Sequence, residues 1–367
     1  MLNVIKSTRY MEFSKDDQDI IQGGVDLYKH FLFDTKGKQE YAGVTNGKSY
    51  EEHEKLYNEA LKKESILRSG ISPTSFSKER LIKNPMVKWA MYELLSETVD
   101  TIFPQTIIDD FGRFAEVRNG NFNDNFMFKI PNPNYFVVSK SAHGIRHGQP
   151  QRLFTSELIL TPVPNTIDIE DDYYNVLSGK SNFGEWMTKV AISLEAQVSI
   201  DVYNAMNTAC LAQPAAFQIA AGGYTSNAVV QMADRVSAAN GGSPCYMLGT
   251  KSALSAVLPS NDYLKVELGK QINDLGYLSN FMGIPAICFS NRLVPNDPNF
   301  NFAIDNKTIY FVSMGSQKPI KICLEGQTLI NDTVQNDHAI QTIGYHVEKN
   351  YVVGAATATR IGSMKLS

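Results

Sequence analysis

Residues 183–211 read FGEWMTKVAISLEAQVSIDVYNAMNTACL, and this stretch decides the fold. Met187, Val190, Ala191, Leu194, Val198, Val202, Ala205 and Ala209 recur three and four residues apart, which lines them along one face of an α-helix. At a rise of about 1.5 Å per residue, a helix over Phe183–Leu211 is on the order of 40 Å long. A rod of that length in a mid-sized domain acts as its backbone, so the surrounding elements are read by how they serve it.

Downstream, helices and strands alternate from Ala220 onward. Ser226 is placed to cap a helix carrying Val229, Val230, Ala233 and Val236, with Gly241 and Gly242 ending it. A short apolar strand, Cys245–Leu248, leads into a second helix capped by Thr250 and carrying Leu254 and Val257. Further strands are expected at Ile284–Phe289, Thr308–Val312 and Ile320–Leu324. From Ala339 to Ala358 the pattern alternates and reads as paired strands turning at Lys349-Asn350.

Upstream, Pro85 suits the first turn of a helix through Val87, Met91, Leu94, Leu95, Thr98 and Ile102, which Pro104 is expected to stop. Asn125–Ile130 and Tyr135–Val138 read as strands flanking the turn sequence Pro131-Asn132-Pro133-Asn134. Ser141–Gln151 is rich in Gly, His and Arg and poor in apolar residues, so it reaches outward as a polar tip. Leu158–Leu160 and Thr166–Ile169 read as further strands, and Glu170-Asp171-Asp172 as a solvated helix start.

Charge is unevenly spread. Residues 1–100 hold 31 of the chain's 72 Lys, Arg, Asp and Glu residues. That density predicts a solvated, mostly helical segment with little core of its own, bounded near Ser69-Gly70-Ile71-Ser72-Pro73. The net charge of −4 gives no electrostatic reason for tight nucleic-acid binding. Enclosing DNA is still open to such a chain, because a wall needs no affinity. Cys210, Cys245, Cys288 and Cys323 are unevenly spaced among apolar neighbours, which predicts buried free thiols in a reducing cytoplasm. No apolar run approaches the roughly 18 residues of a membrane span, and the early charges after Met1 form no signal core.

Motifs for chemistry are absent. Gly47-Lys48-Ser49 and Gly179-Lys180-Ser181 imitate the end of a phosphate-binding loop, but Ala42 and Tyr174 stand where its first glycine belongs. His143 and His147 are four apart, yet Gly144 and Gly148 oppose the helix a metal site would need. His338 and His346 read as packing or surface residues. No catalytic residue, metal ligand or cofactor is assigned.

The order of these parts resembles the major capsid proteins of tailed bacteriophages, with the fold named after Hong Kong phage ninety-seven. Phe114–Arg118 followed by Phe126-Met127-Phe128 resembles the entry to that family's extended loop, and Gln151-Arg152-Leu153 through Pro162 its return. Lys189–Glu195 resembles the spine helix. Val236–Gly242, Gly249–Leu254 and Phe281–Ala286 resemble the axial domain, and Lys318–Gly326 its last strand. The resemblance covers roughly residues 84–367.

It implies an α+β fold divided as follows: a charged N-terminal arm or scaffold-like segment over 1–83, helix and loop entry over 84–124, and an extended β loop over 125–162. A peripheral domain then takes 163–219 and 326–367, and an axial domain 220–325. The implied function is a shell subunit that associates with itself in pentamers and hexamers around double-stranded DNA. Implied partners are a portal and scaffolding, maturation-protease or decoration proteins. The implied sites are the host cytoplasm during assembly and then the virion. Arg146, Arg152, Phe136 and Val138 are the candidate contacts between subunits, with ordinary surface charge as the alternative for the two arginines. An encapsulin-like nanocompartment shell and an enzyme with a dispersed active site are the rival readings.

Overall fold

The periodic stretch folds as read. In the computed structural model, the long helix runs from Phe183 to Leu211. The structure describes residues 9–71, 84–130, 136–140, 143, 150–152, 155–172, 175, 182–259, 269–270, 272–294, 297–315, 318–332, 342–356 and 360–366, with backbone only at 342–343. Met187, Val190, Ala191, Leu194, Val198, Val202, Met206 and Ala209 of this helix are buried along one face.

Three helices precede it. They are α1 (Lys15–Lys36), α2 (Tyr50–Arg68) and α3 (Pro85–Phe111), and the spine is α4. Local signals set their ends. Ser14 accepts from the Asp17 amide at 3.2 Å, and Gly37 adopts the left-handed conformation that closes α1. Ser49 and Glu52 form a reciprocal capping box on α2. Asn84 caps α3 with Pro85 in its first turn.

Pro104 does not stop α3; the helix continues to Phe111 with the proline inside it. An interior proline costs about 3 kcal/mol. Burial of Val99, Ile102, Phe103, Ile107 and Phe111 around it outweighs that cost. The charge-dense N-terminal region is expected to have little core of its own, and its described helices instead share the main one. Ile21, Val25, Leu27, Tyr28 and Leu32 of α1, with Tyr57 and Leu61 of α2, join α3 and α4 in the main hydrophobic cluster. The charges sit on the outer faces, so their number conceals an amphipathic spacing. Asn58 of α2 even accepts the Gly184 amide at 3.0 Å, in the first turn of the spine.

Beneath the helices lies a sheet in the order β1 (Ala115–Gly120), β10 (Ile320–Asp332), β11 (Thr342–Ala355), β4 (Val163–Asp172). The first pair is parallel and the other two antiparallel. Ile320, Ile322, Leu324, Tyr345, Val347 and Tyr351 face the helices. The 342–355 segment is one strand with no turn at Lys349-Asn350. Lys349 points inward, only 3% exposed, where its Nζ meets Asp100 Oδ1 at 2.8 Å and the Gly326 carbonyl at 2.9 Å. Glu170-Asp171-Asp172 ends β4 instead of starting a helix, because Thr342–Gly344 pair with it.

A second body holds a six-stranded sheet in the order β5 (Gln218–Ile219), β12 (Gly362–Lys365), β9 (Thr308–Ser313), β6 (Cys245–Thr250), β8 (Ile284–Phe289), β7 (Asn280–Phe281). Helices α5 (Ser226–Ala239) and α6 (Lys251–Ser255) pack on it through Val229, Met232, Val236, Leu254, Phe311 and Met364. Thr250 caps α6 as expected, whereas α5 is capped by Thr225 and not Ser226. Two strands change body relative to the sequence reading. Ile320–Asp332 lies in the four-stranded sheet, and Gly362–Lys365 in the six-stranded one. Both assignments depend on long-range pairing that local pattern does not encode. Among the described residues, no helix is long and apolar enough to cross a membrane.

Candidate assembly surfaces

The protruding element is built from β2 (Phe126–Ile130) and β3 (Ser156–Leu160), paired antiparallel with Phe128 opposite Leu158. The expected partner of β2, Tyr135–Val138, is not a strand in its described part, and Pro131–Asn134 lies outside the described residues. Alternation turns Phe126, Phe128 and Ile130 inward and Met127 and Lys129 outward. Phe126, Phe128, Leu158 and Leu160 pack on Cys323 and Val352, on the face of the four-stranded sheet opposite the helices. Arg118 lies over the Phe128 ring at 4.0 Å, donates to the Met127 carbonyl at 3.0 Å, and pairs with Glu116 at 2.7 Å. Lys321 reaches the same Glu116 at 2.5 Å. Burial opposes ionisation of Glu116, but these two cations outweigh it and hold the carboxyl below its usual range. The base of the hairpin is therefore fixed.

Its outer part is bare. Phe136, Val137 and Val138 are 58%, 72% and 90% exposed. The Val137 backbone is held by the Gln151 side-chain amide, at 2.8 Å to its N–H and 2.7 Å to its carbonyl. A side chain thus does the work of a strand partner. Of the predicted contact residues, Phe136, Val138 and Arg152 stand exposed on this ribbon. Arg146 and His147 lie outside the described residues, and His143 is exposed. Two strands alone offer unpaired edges, the usual template for pairing with another chain.

A second site joins the two bodies and was missed in the sequence. Glu195, on the apolar face of α4, is 0% exposed. Its carboxylate accepts from Lys36 Nζ at 2.8 Å and from the Tyr28 hydroxyl at 3.1 Å, and it also pairs with Arg292. Burial opposes its charge, yet Lys36, Arg292 and Tyr28 prevail and hold the carboxyl below its usual range. Asp110 lines the same cavity of about 140 Å³, and burial followed by the Glu195 charge raises its carboxyl. One acid thereby ties α1, the spine and the loop after β8. The signal was present: a glutamate next to Leu194 on a stripe that is otherwise apolar.

The remaining candidates have structural roles. Ser49 of Gly47-Lys48-Ser49 caps α2; residues 179–181 lie outside the described residues, as does His338. His346 pairs with Asp168 at 2.6 Å on the exposed sheet face. The four cysteines are free, and burial pushes Cys210, Cys245 and Cys323 up to about 12, so none of these three supplies a thiolate near neutrality. Among the described residues, no three metal-ligating side chains converge.

Residues 41–365 match the family described as "SPbeta prophage-derived putative capsid protein YonB". The chain belongs to this capsid protein family. No curated protein matches the sequence. Similar solved structures include the bacteriophage PhiM1 mature capsid, at 12% identity and a TM-score of 0.48, covering 70% of this chain and 86% of that one. Another is that of Microbacterium phage Oxtober96, at 9% identity and a TM-score of 0.45, covering 70% and 90%. The SrpI encapsulin of Synechococcus elongatus is similar at 12% identity and a TM-score of 0.41, covering 70% and 86%. The family match, which spans nearly the whole chain, carries the assignment. A member of this capsid family is a shell component, and the α+β architecture with hairpin, spine and second sheet is the one its sequence order implied.

Proposed function

We propose that the chain is the repeating subunit of a closed icosahedral shell around phage double-stranded DNA, formed through hexamers and pentamers and working without catalysis. One observation carries the reading: a hairpin anchored at its base extends an exposed apolar ribbon that its own body does not cover. A head-to-tail contact whose rotation closes gives rings of five or six. The second body, with its six-stranded sheet, would lie toward the ring centre, and the four-stranded sheet with α1–α4 would form the periphery. The hairpin would cross to a neighbour, with Phe136, Val138, Arg146 and Arg152 as contacts, covering edges that would otherwise aggregate. DNA would be enclosed without sequence recognition, in keeping with the net charge of −4. Assembly in a host cytoplasm, with a portal and with scaffolding, protease or decoration proteins, completes the reading.

Deleting Ser141–Pro150 tests it. The expected product is a folded, soluble subunit that sediments as a small species and forms no closed particles under the electron microscope. Normal particles from that deletion would overturn the hairpin's role. Nuclease-protected DNA inside wild-type particles is expected; particles filled with a cargo enzyme would transfer the chain to the nanocompartment class.

A further inference from the structure

Two histidines meet between the N-terminal helices. His30 of α1 is 2% exposed, and His53 of α2 is half-buried beside it. Their Nδ1 atoms stand 3.2 Å apart, with ring centroids at 5.5 Å. The other nitrogen of His30, Nε2, faces the Asp34 carboxylate at 3.6 Å, and the Tyr50 ring lies edge-on at 5.7 Å. Charged neighbours come from every side of this seam. Asp26 and Asp34 belong to α1, where Lys29 pairs with Asp26 at 3.4 Å, and Lys48 precedes α2. Behind the pair, Glu54 of α2 and Glu185 of the spine act on Tyr50.

A contact between two ring nitrogens holds one hydrogen, so one ring donates and the other must offer a lone pair. A neutral pair satisfies this. So does a pair with one proton more, in which His30 becomes the cation beside Asp34 and donates to His53. A second proton leaves two N–H groups pointing at each other and two positive rings in a largely buried site. Burial, followed by the His30 charge, accordingly pushes His53 below the ordinary histidine value of 6.5. The contribution of the contact is therefore full above that value and is lost as pH falls through the lowered pKa of His53. The nearby buried acids have the opposite sign. Burial raises the carboxyls of Glu54, Glu64 and Asp110, so each strengthens the folded state on taking up a proton.

We propose that the His30–His53 contact is a proton-operated latch between α1 and α2, closed with up to one extra proton and opened by the second. Opening is local. The C-terminal half of α2 stays seated through Leu61 in the main cluster, through Asn58, which accepts the Gly184 amide, and through Arg68, paired with Glu93 at 2.7 Å. The N-terminal half begins at the Ser49 cap on an exposed turn and meets α1 at the histidines. Loss of that contact frees the first turns of α2 while the rest of the helix holds its place on the spine.

Amide hydrogen exchange of the full-length chain at pH 7 and pH 5 tests the latch, with each rate divided by the intrinsic rate at that pH. EDTA is present throughout, to keep metal ions off the two imidazoles. Protection over His53–Tyr57 is expected to fall about tenfold at pH 5, while Phe183–Leu211 keeps its own. His53→Gln and His30→Gln each replace one ring with a polar side chain that takes up no proton, so neither variant can reach the doubly charged state. Each is expected to remove the step at pH 5. Circular dichroism checks that both variants fold, and either one decides the matter if the other does not. Equal protection of His53–Tyr57 at the two pH values overturns the proposal, as does a step that persists in a folded Gln variant. An equal loss over Phe183–Leu211 would mark general acid unfolding and would also overturn it.

Discussion

Glu195 shows how much one residue can hold when its side chain is fully buried. Its partners are less confined: Lys36 and Arg292 keep 29% and 20% of their side-chain surface exposed. The two ways of breaking the site should therefore differ. Glu195→Leu frees two cations that can turn outward. Lys36→Met with Arg292→Met leaves the carboxylate buried without a counter-charge, a situation that costs about 3–5 kcal/mol. We expect the double variant to be the less stable in denaturant unfolding at pH 7, and equal losses would refute the asymmetry. The pH dependence has a sign. In the wild type the carboxyl lies below its ordinary value of 4.5, so its contribution is full above that value and is lost only as pH falls through the folded pKa. In the double variant burial is opposed only by the Tyr28 hydrogen bond and raises the carboxyl, so the folded state regains stability by taking up a proton. The gap between the two proteins should narrow from pH 7 to pH 5. A constant gap would mean that the carboxylate has found another partner.

At the scale of elements, the hairpin is held by a small cluster separate from the main core, and Phe128 is its centre. Truncating a buried Phe to Ala costs about 3–5 kcal/mol. Here the loss should stay local, because the main cluster around α3 and α4 does not include Phe128. Phe128→Ala is expected to lower hydrogen-exchange protection about a hundred-fold over Phe126–Ile130 and Ser156–Leu160, and to leave Phe183–Leu211 unchanged. Equal loss in both would show that the hairpin and spine unfold as one unit. The same contrast between local and distant causes explains which elements could be read from the sequence. Phe183–Leu211 and Thr250–Leu254 follow from spacing and caps, which act over a few residues. Lys349-Asn350 looks like a turn because both residues are polar, and Asp100 and the Gly326 carbonyl, distant in the chain, make an inward lysine tolerable. Phe136–Val138 and the true partner of β2 are misread for the same reason: pairing with Ser156–Leu160 is not marked in either strand alone. The polar tip over Ser141–Gln151, by contrast, was legible from its lack of apolar residues, and its described residues His143, Pro150 and Gln151 are exposed, although Glu195 needed three-dimensional neighbours to acquire meaning.

For the whole molecule, the largest difference between sequence and structure is the standing of the N-terminal helices. Charge density predicts a solvated segment with little core of its own, and the resemblance implies an arm. The structure instead wedges α1 and α2 against the two longest helices. A Cβ added to Gly24 would meet Thr98 Cγ2 at 2.6 Å, Tyr57 lies 3.8 Å from Met187 Sδ, and Tyr28 and Lys36 complete the Glu195 site. Counting charges measures only the surface of such helices, whereas spacing in Ile21, Val25, Tyr28 and Leu32 measures what they bury. Removing residues 1–71 should therefore do more than shorten the subunit. It would expose the apolar sides of α3 and α4 and strand Glu195 with Arg292 alone. We expect that truncated chain to aggregate on expression, or to bind an apolar-surface dye strongly if recovered, while the Ser141–Pro150 deletion stays soluble. A soluble truncated chain that still closes shells would mean that α1 and α2 are a detachable cover after all, and that the spine and its sheet form a self-sufficient core.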